Sequence, residues 1–586
     1  MKSVRFHASP VLAVKLPAWR SRVILCAIFV GFIALLVRAI WLQAFSVDFL
    51  QSQGEQRYAR NVEMPATRGK ITDRNGEVLA SSVPAWAIWA EPEEVDVTPA
   101  QVAELAKLLD MPKAELARKL ADPVRKFMYL KRQVSPDVAN AVEQMDLAGI
   151  HRRKEYHREY PEGDLTAHVV GYTDVDDAGQ EGIELAWQHA LAGQNGSKRV
   201  IRNRRGQAIE DVASIRVPHD GSDLTLSIDS KVQYIAYTEL KRAKEAMNAV
   251  AASIVVLDVR SGEVLALVNF PTYDPNERKK LSGEQLRNRA FTDTFEPGSV
   301  LKPFTIALAL ERGVVKPDTI VQTSPGRLTI GTATISDSHA HGPLTVEEIV
   351  KVSSNIGTAK VALRMEPQQM WEMFTAVGLG QAPKWGFPGA RAGRVRPYKS
   401  WRPIEQATMS YGYGLSVSLI QIARAYTMFA RDGEIIPLTF FKGAQRSGDV
   451  EAVKGVQVIS PATAREMRHM LEMAAGPGGT APKAQVVGYR VAGKTGTAHK
   501  LAKEGRGYDA NRYVGSFVGF APVSNPRIVV AVMIDEPSTG VYFGGDVAAP
   551  VFSAVVGATL RTLNIEPDSP IKSLVIPADG LKEAAL

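Results

Sequence analysis

Apolar positions are densest near the start of the chain. Val23 to Val37 form an unbroken apolar run, Arg38 interrupts it, and Ala39-Ile40-Trp41-Leu42 resumes it. The first part alone has signal-peptide length, whereas the whole segment, about twenty residues, suffices to cross a bilayer as a helix. Lys2, Arg5, Lys15, Arg20 and Arg22 precede it with no acidic residue between them, which assigns the N-terminus to the cytoplasmic side. Arg38 can snorkel to the far interface, with Trp41 beside it as a belt residue. Cleavage near Ala44 and a buried core helix are the competing readings. The long basic lead and the lack of a clean small-x-small site favour an uncleaved anchor.

Beyond the anchor the pattern shortens. From Ser46 to His219, basic and acidic patches alternate with short apolar runs, and Gly69 and Asn75-Gly76 interrupt apparent strands, as in an extended α+β module. The basic run from Arg199 to Arg205 reads as a solvated face. Asp220-Gly221 marks a turn and a boundary. After it, Leu224 to Ile228 alternates like a strand, and Lys231 to Asn248 has helical periodicity. Ser253 to Asp258 and Glu263 to Val268 flank Arg260-Ser261-Gly262 as a hairpin. Ser516 to Phe520 and Ile528 to Met533 flank Ser524-Asn525-Pro526 as a second one, with helical segments carrying Ser299 and Ser353 between them. By itself this pattern supports a mixture of α and β. There are no internal repeats, and the tail after Asn564 reads as a peripheral strap or as disordered.

At 586 residues, 45% hydrophobic and 23% charged, the chain is ordinary in composition and too long for one domain. Its net charge of +8 is dispersed and accompanies no nucleic-acid-binding motif, so a surface facing anionic lipid or cell-wall polymer accounts for it better. The single cysteine, Cys26, excludes an intrachain disulfide framework and reads as a buried small hydrophobe. His339-Ala340-His341 lacks a partner at zinc-site spacing, and Gly476-Pro477-Gly478-Gly479 lacks the Gly-Lys-Ser/Thr of a phosphate loop. Neither a metal nor an organic cofactor is expected.

Three short motifs carry the chemistry. Glu296-Pro297-Gly298-Ser299-Val300-Leu301-Lys302-Pro303 comes first, Ser353-Ser354-Asn355 second and Lys494-Thr495-Gly496-Thr497 last. Alone, Ser299 could be a helix cap and Lys302 a solvated charge, and Ser353 with Asn355 could belong to any turn. Together, in this order, they match the signature set of penicillin-recognising serine acyltransferases. A serine hydroxyl needs an adjacent base to attack a carbonyl, and i,i+3 spacing in a helix places Ser299 and Lys302 on one face. Pro303 is tolerated only in a first helical turn, so the helix should begin near Ser299, whose backbone N–H could then help hold an oxyanion. Lys302 acts as a base only when neutral. From an unperturbed pKa of about 10.4, reaching neutrality near pH 7 takes roughly 4 kcal/mol, which burial and a second cation, Lys494, could supply. Ser353 could relay a proton and Asn355 orient a peptide. Gly496 would admit a substrate backbone, and the Thr495 and Thr497 hydroxyls could donate to a carboxylate.

These residues resemble a class B penicillin-binding protein, most closely the division-specific branch. Asn288-Arg289-Ala290 through Ser299, and Ser410-Tyr411-Gly412-Tyr413-Gly414-Leu415, are similar to the septal enzymes. Arg68 to Gly76 and Gly182-Ile183-Glu184-Leu185 resemble motifs of the family's non-catalytic pedestal. Val300-Leu301 stands where septal enzymes commonly have Thr-Val, and Leu415 to Leu419 departs from their usual Thr-Pro. The resemblance implies an α+β protein with a basic tail (1–22), a transmembrane anchor (23–45), a periplasmic pedestal (46–220), a transpeptidase domain (221–565) and a tail (566–586). That domain would be an antiparallel sheet flanked by helices with a helical subdomain. The resemblance further implies a single-pass inner-membrane enzyme that crosslinks peptidoglycan stem peptides at the division septum through an acyl-Ser299. β-Lactams would be its inhibitors, and the glycan polymerase FtsW and other division proteins its partners. An elongation-specific transpeptidase, a β-lactam-sensing receptor and a non-catalytic division scaffold stay open as alternatives, and carboxypeptidase or β-lactamase activity would differ only in the acceptor.

Overall fold

The computed structural model describes residues 17–45, 59–122, 124–202, 208–277, 281–383, 386–443, 454–502 and 507–569. Lys2, Arg5 and Lys15 of the basic lead, Arg204 and Arg205 of the basic run, and the tail from 570 onward lie outside these residues.

The apolar run folds as the helix Ala18–Ile40, extended by a π turn, Trp41–Phe45. The stretch Ala18–Ala44, 27 residues whose most apolar 18-residue window has a mean hydropathy of 2.8, packs against nothing else among the described residues. At 1.5 Å per residue it is about 40 Å long, enough to span the roughly 30 Å hydrocarbon core of a bilayer with some tilt. Cys26, expected to be buried, is instead exposed on this helix, because no other described segment packs over it.

Next comes an α+β pedestal. The 13-residue strand Val78–Ala90 pairs antiparallel with Ile150–Glu159 along Ser81↔Glu159 to Ala90↔Ile150, and on its other edge with Met128–Val134. Helices Pro99–Leu108, Lys113–Leu120 and Pro136–Gln144 bury Leu105, Leu116 and Val142 with Ile88 and Leu130 of those strands. Thr98 starts the first helix with a capping box to Gln101, and Ser135 caps the third. Ala59–Met64, Gly196–Arg202 and Ala208–Arg216 form a separate three-stranded antiparallel sheet.

The pedestal's motif residues meet in an ion cluster. Arg68 Nε and Arg158 Nε donate to opposite oxygens of Glu184 at 2.6 and 2.7 Å, all three side chains fully buried. Arg68 also donates to the carbonyls of Asp177 and Glu184 and to Gln188 Oε1. Such a cluster is held by geometry, since each buried charge costs several kcal/mol unless paired.

The pedestal joins the rest without a break in the core. Ile71-Thr72 pairs in parallel with Leu224-Thr225, so the expected strand from Leu224 to Ile228 is only two residues long. Asp73 accepts from Ser230 N at 3.1 Å, Arg74 pairs with Glu263 at 3.1 Å, and Lys442 Nζ donates to Arg74 O at 3.0 Å. Ile71, Leu79 and Tyr160 belong to the same apolar cluster as Val255, Phe304 and Phe429.

Both expected hairpins form one five-stranded antiparallel sheet. Its order is Val264–Phe270, Ala251–Asp258, Ile528–Asp535, Tyr508–Ala521, Ala492–Leu501. Two helices from opposite ends of this half, Ser230–Ala246 and Ala549–Thr562, pack together on one face. Leu419–Ala430 and Pro461–Ala475 cover the other, beneath a helical region. With both faces covered, Ala251 to Leu257 is buried at every position, which explains its continuous apolar pattern.

Replacing Glu184 by Gln would leave two buried guanidinium groups facing a neutral amide. Urea unfolding of the Glu184→Gln protein should show a loss of about 3–5 kcal/mol. An unchanged midpoint would remove the ion cluster from any structural role.

Candidate active site

Three segments far apart in sequence converge on Ser299. Gly298–Leu301 is a 3₁₀ turn, and the α-helix Lys302–Glu311 follows directly, with Pro303 in its first turn where no backbone donor is required. Ser299 is therefore not a cap: Pro297 and Leu301 occupy those positions, and the helix begins at Lys302. In a 3₁₀ turn, residues three apart eclipse one another, so Ser299 and Lys302 still share a side.

The turn lies against the sheet edge at backbone distance. A Cβ on Gly496 would stand 2.5 Å from Ser516 Oγ and 2.8 Å from Pro297 O. A side chain at this position would therefore strike both the neighbouring strand and the serine turn. Gly298, at φ +57°, faces Thr497 O, and a Cβ on Gly412, at φ +92°, would stand 2.1 Å from Gly298 O. Gly298 N donates to Gly412 O at 3.2 Å. Glu296, its carboxyl pushed above the usual range chiefly by burial, accepts from Gly414 N at 2.8 Å and Tyr508 Oη at 3.1 Å. The two sequence runs ending at Ser299 and Leu415 are therefore one structural unit.

Lys302, 1% exposed, donates through Nζ to Ser353 O and, at 3.0 Å, to Ser353 Oγ. Ser353 is not helical. It ends the helix Val346–Val352 in the left-handed conformation, φ +63°, and this turns both of its oxygens toward the lysine. Ser354 caps the next helix, Asn355–Ala362, accepting from Gly357 N at 2.9 Å. Asn355 Nδ2 donates to Ser336 O at 3.0 Å.

Burial, and next the charge of Lys494, hold the Lys302 ammonium well below the ordinary lysine range, against an opposing pull from Asp337. Lys494 is fully buried on its strand and is brought down to about 7 by burial. Its Nζ reaches Thr495 Oγ1 at 3.3 Å and Thr480 Oγ1 at 3.4 Å, and the two threonine hydroxyls bond each other at 2.9 Å. Thr495 is thus turned toward Lys494 and the loop after Gly479. Thr497 Oγ1 accepts from Gly544 N at 3.0 Å, which leaves its own proton available to donate.

Asp337 and Thr480 gave no signal in the sequence. An aspartate between two serines looks like any turn residue. In the fold, Asp337 accepts from Ser354 Oγ at 2.6 Å, Asn355 N at 2.5 Å and Ile356 N at 3.1 Å, capping the second helix from outside its own sequence.

Comparison with known proteins now decides the family. The penicillin binding protein transpeptidase domain matches residues 252–557, and the penicillin-binding protein dimerisation domain matches residues 63–226. The chain belongs to the penicillin-binding protein transpeptidases. It is 42% identical over 557 residues to a protein of Neisseria meningitidis named probable peptidoglycan D,D-transpeptidase PenA, covering 94% of each. It is 40% identical to the peptidoglycan D,D-transpeptidase FtsI of Escherichia coli, covering 94% of this chain and 93% of that one. Among solved structures, the transpeptidase domain of Burkholderia pseudomallei penicillin-binding protein 3 is 56% identical, with a TM-score of 0.54, and covers 59% of this chain and 98% of its own. A peptidoglycan synthetase of Bifidobacterium adolescentis is 27% identical with a TM-score of 0.68, covering 87% of this chain and 98% of that one. This penicillin-binding transpeptidase shares the class B arrangement of dimerisation and transpeptidase domains over residues 63–226 and 252–557.

Asp337→Ala should remove three bonds to one helix start, at a cost of about 0.5–2 kcal/mol in unfolding. It should also slow penicillin labelling, because Ser353 and Asn355 flank the freed helix end. Labelling at the unaltered rate in a destabilised protein would confine Asp337 to the fold.

Proposed function

We propose that this chain is a septal peptidoglycan D,D-transpeptidase working through an acyl-Ser299. The observation that carries the reaction is the burial of two lysines of depressed pKa, Lys302 and Lys494, beside a serine one 3₁₀ turn away. A neutral Lys302 takes the proton as Ser299 Oγ attacks the carbonyl between the two terminal D-alanines of a stem peptide. Ser353, bonded to Lys302 Nζ, carries a proton toward the leaving amine, and D-alanine departs. An amine of a neighbouring stem then attacks the acyl-serine and loses its proton to Lys302, which passes a proton to the departing Ser299 Oγ, so that serine and neutral lysine are both restored as the crosslink forms. Thr497, with its hydroxyl proton available, holds the donor carboxylate, Asn355 orients the peptide, and the Ser299 backbone N–H contributes to the oxyanion site. β-Lactams acylate the same serine.

The septal branch, the cytoplasmic N-terminus and the periplasmic placement of the catalytic part rest on a separate support. That support is the basic lead before an apolar helix, likeness to the Escherichia coli protein named FtsI, and the resemblance of the runs ending at Ser299 and Leu415 to septal enzymes. On this reading the chain divides into tail (1–22), anchor (23–45), pedestal (46–220), transpeptidase domain (221–565) and C-terminal tail (566–586). Anchor and pedestal recruit the glycan polymerase FtsW and other division proteins.

Mass spectrometry after penicillin treatment should find the adduct on Ser299 and none on Ser299→Ala. The acylation rate should fall as pH drops through the depressed pKa of Lys302, since only the neutral amine accepts the proton. Lys494→Gln removes a neighbouring positive charge, raises that pKa, and should move the acid limb to higher pH. Lys302→Arg, charged at any working pH, should not be acylated, and near-normal labelling of it would end the neutral-lysine mechanism.

Depletion of the protein from a rod-shaped host should give filaments, with a fluorescent fusion at midcell. Round cells, or a fusion along the side wall, would move the assignment to the elongation branch.

A further inference from the structure

A cavity of about 570 Å³ lies outside the serine site, between the end of the helix Val346–Val352, the Gly476-Pro477 turn and the segment leading into the Lys494 strand. Its size is that of a small-molecule pocket. Met473, Val486 and the ring of Tyr489 supply apolar wall, and the Tyr489 hydroxyl is already committed to Ile565 O at 2.7 Å. The rim is fixed by the strap after the last helix: Ser569 N donates to Gly488 O at 3.1 Å, and Arg490 N to Asp568 Oδ1 at 2.7 Å.

Charged side chains reach the lining from three elements: Lys351, Glu472 and Arg490. Glu472 is neutralised within the wall, its two oxygens taken by Arg490 Nε and Nη2 at 2.7 and 2.6 Å. Lys351 has no carboxylate partner among the described residues, and His469 stands on the same rim. Among the lining side chains Lys351 is thus the charge without an ion-pair partner, while Asp568 on the strap is held by the backbone N–H groups of Arg490 and Ser524.

Both walls lead into the site. The helix bearing Lys351 ends at Ser353, whose two oxygens accept from Lys302 Nζ. The glycine turn ends at Thr480, which touches Lys494 and Thr495. A Cβ on Gly478 would stand 3.5 Å from Lys351 Nζ, so the two walls adjoin at this amine.

We propose that this cavity is a second ligand site for a small organic anion, a carboxylate or phosphate on an apolar body, whose binding alters acylation of Ser299. The acylation part rests on the reading of Ser299 as nucleophile, whereas binding is measured without it.

Titration calorimetry on full-length Ser299→Ala protein in detergent would use N-acetylphenylalanine and phenyl phosphate as probes, with N-acetylphenylalanine amide as the neutral control. At least one anion should bind, and whichever binds more tightly identifies the headgroup. The neutral amide should bind about tenfold more weakly, as should the anion to Lys351→Gln, and added salt should weaken the anion alone. His469→Gln, on the exposed rim, repeats the test should Lys351→Gln not fold. In the native protein, saturating anion should change the rate of acylation by a fluorescent penicillin at least about twofold, and Lys351→Gln should remove that response. Several outcomes overturn the proposal: no anion binding, equal binding of anion and amide, insensitivity to both substitutions, loss of binding once Ser299 is acylated by penicillin, or binding with no change in acylation. A protein that binds the anion but is never acylated at Ser299 instead fails the functional reading, so the two failures are distinguishable.

Discussion

The site depends on a backbone-to-backbone contact that only glycine permits. Gly298, Gly412 and Gly496 come from three separated segments: a Cβ on Gly412 or Gly496 would strike a neighbour, and Gly298 holds a positive φ close against Thr497 O. Their packing sets the serine turn on the sheet edge with no room for adjustment. Everything else at the site follows from that closeness. Lys302 and Lys494 approach one another in a space too tight for water to screen them, and desolvation then lowers both pKa values. A looser turn would admit water and return both amines to their ordinary, charged state.

The same logic explains the conformation of Ser353. A serine inside a helix would spend its carbonyl on the helix ladder. Ended in the left-handed region, it turns carbonyl and hydroxyl toward one ammonium. Left-handed backbone at a non-glycine residue costs of order 1–3 kcal/mol, offset here by bonds to a buried donor. Asp337 secures the adjoining helix start, so the strain is carried by fixed neighbours on both sides.

Much of this was legible in the chain, and the part that was not has a common cause. The anchor, both hairpins and the three motifs are local signals: hydropathy over one helix, alternation around one turn, fixed residue types within a few positions. The role of Asp337, the meeting of Glu296 with Gly414, and the Arg68–Glu184–Arg158 cluster join residues about 20 to 120 positions apart. No periodicity records such pairings, and each partner alone looks like a surface charge or a turn residue. Gly496 shows the limit within a motif. Its need for a small residue could be read, but not that Ser516 and Pro297 impose it.

The order of strands in the sheet has a consequence for how the enzyme is made. Ile528–Asp535 lies between Ala251–Asp258 and Tyr508–Ala521, so the last strand to be synthesised joins the two halves. Until it arrives, the hairpin formed early has no partner, and the strand of Lys494 cannot be brought against the serine turn. Ser299 is therefore translated long before it can react. Sheets closed by such distant pairings form slowly, because loop closure precedes any reward from contact. Throughout that interval the half-built sheet presents open edges, which makes late synthesis the stage at which this protein is most exposed to aggregation and proteolysis.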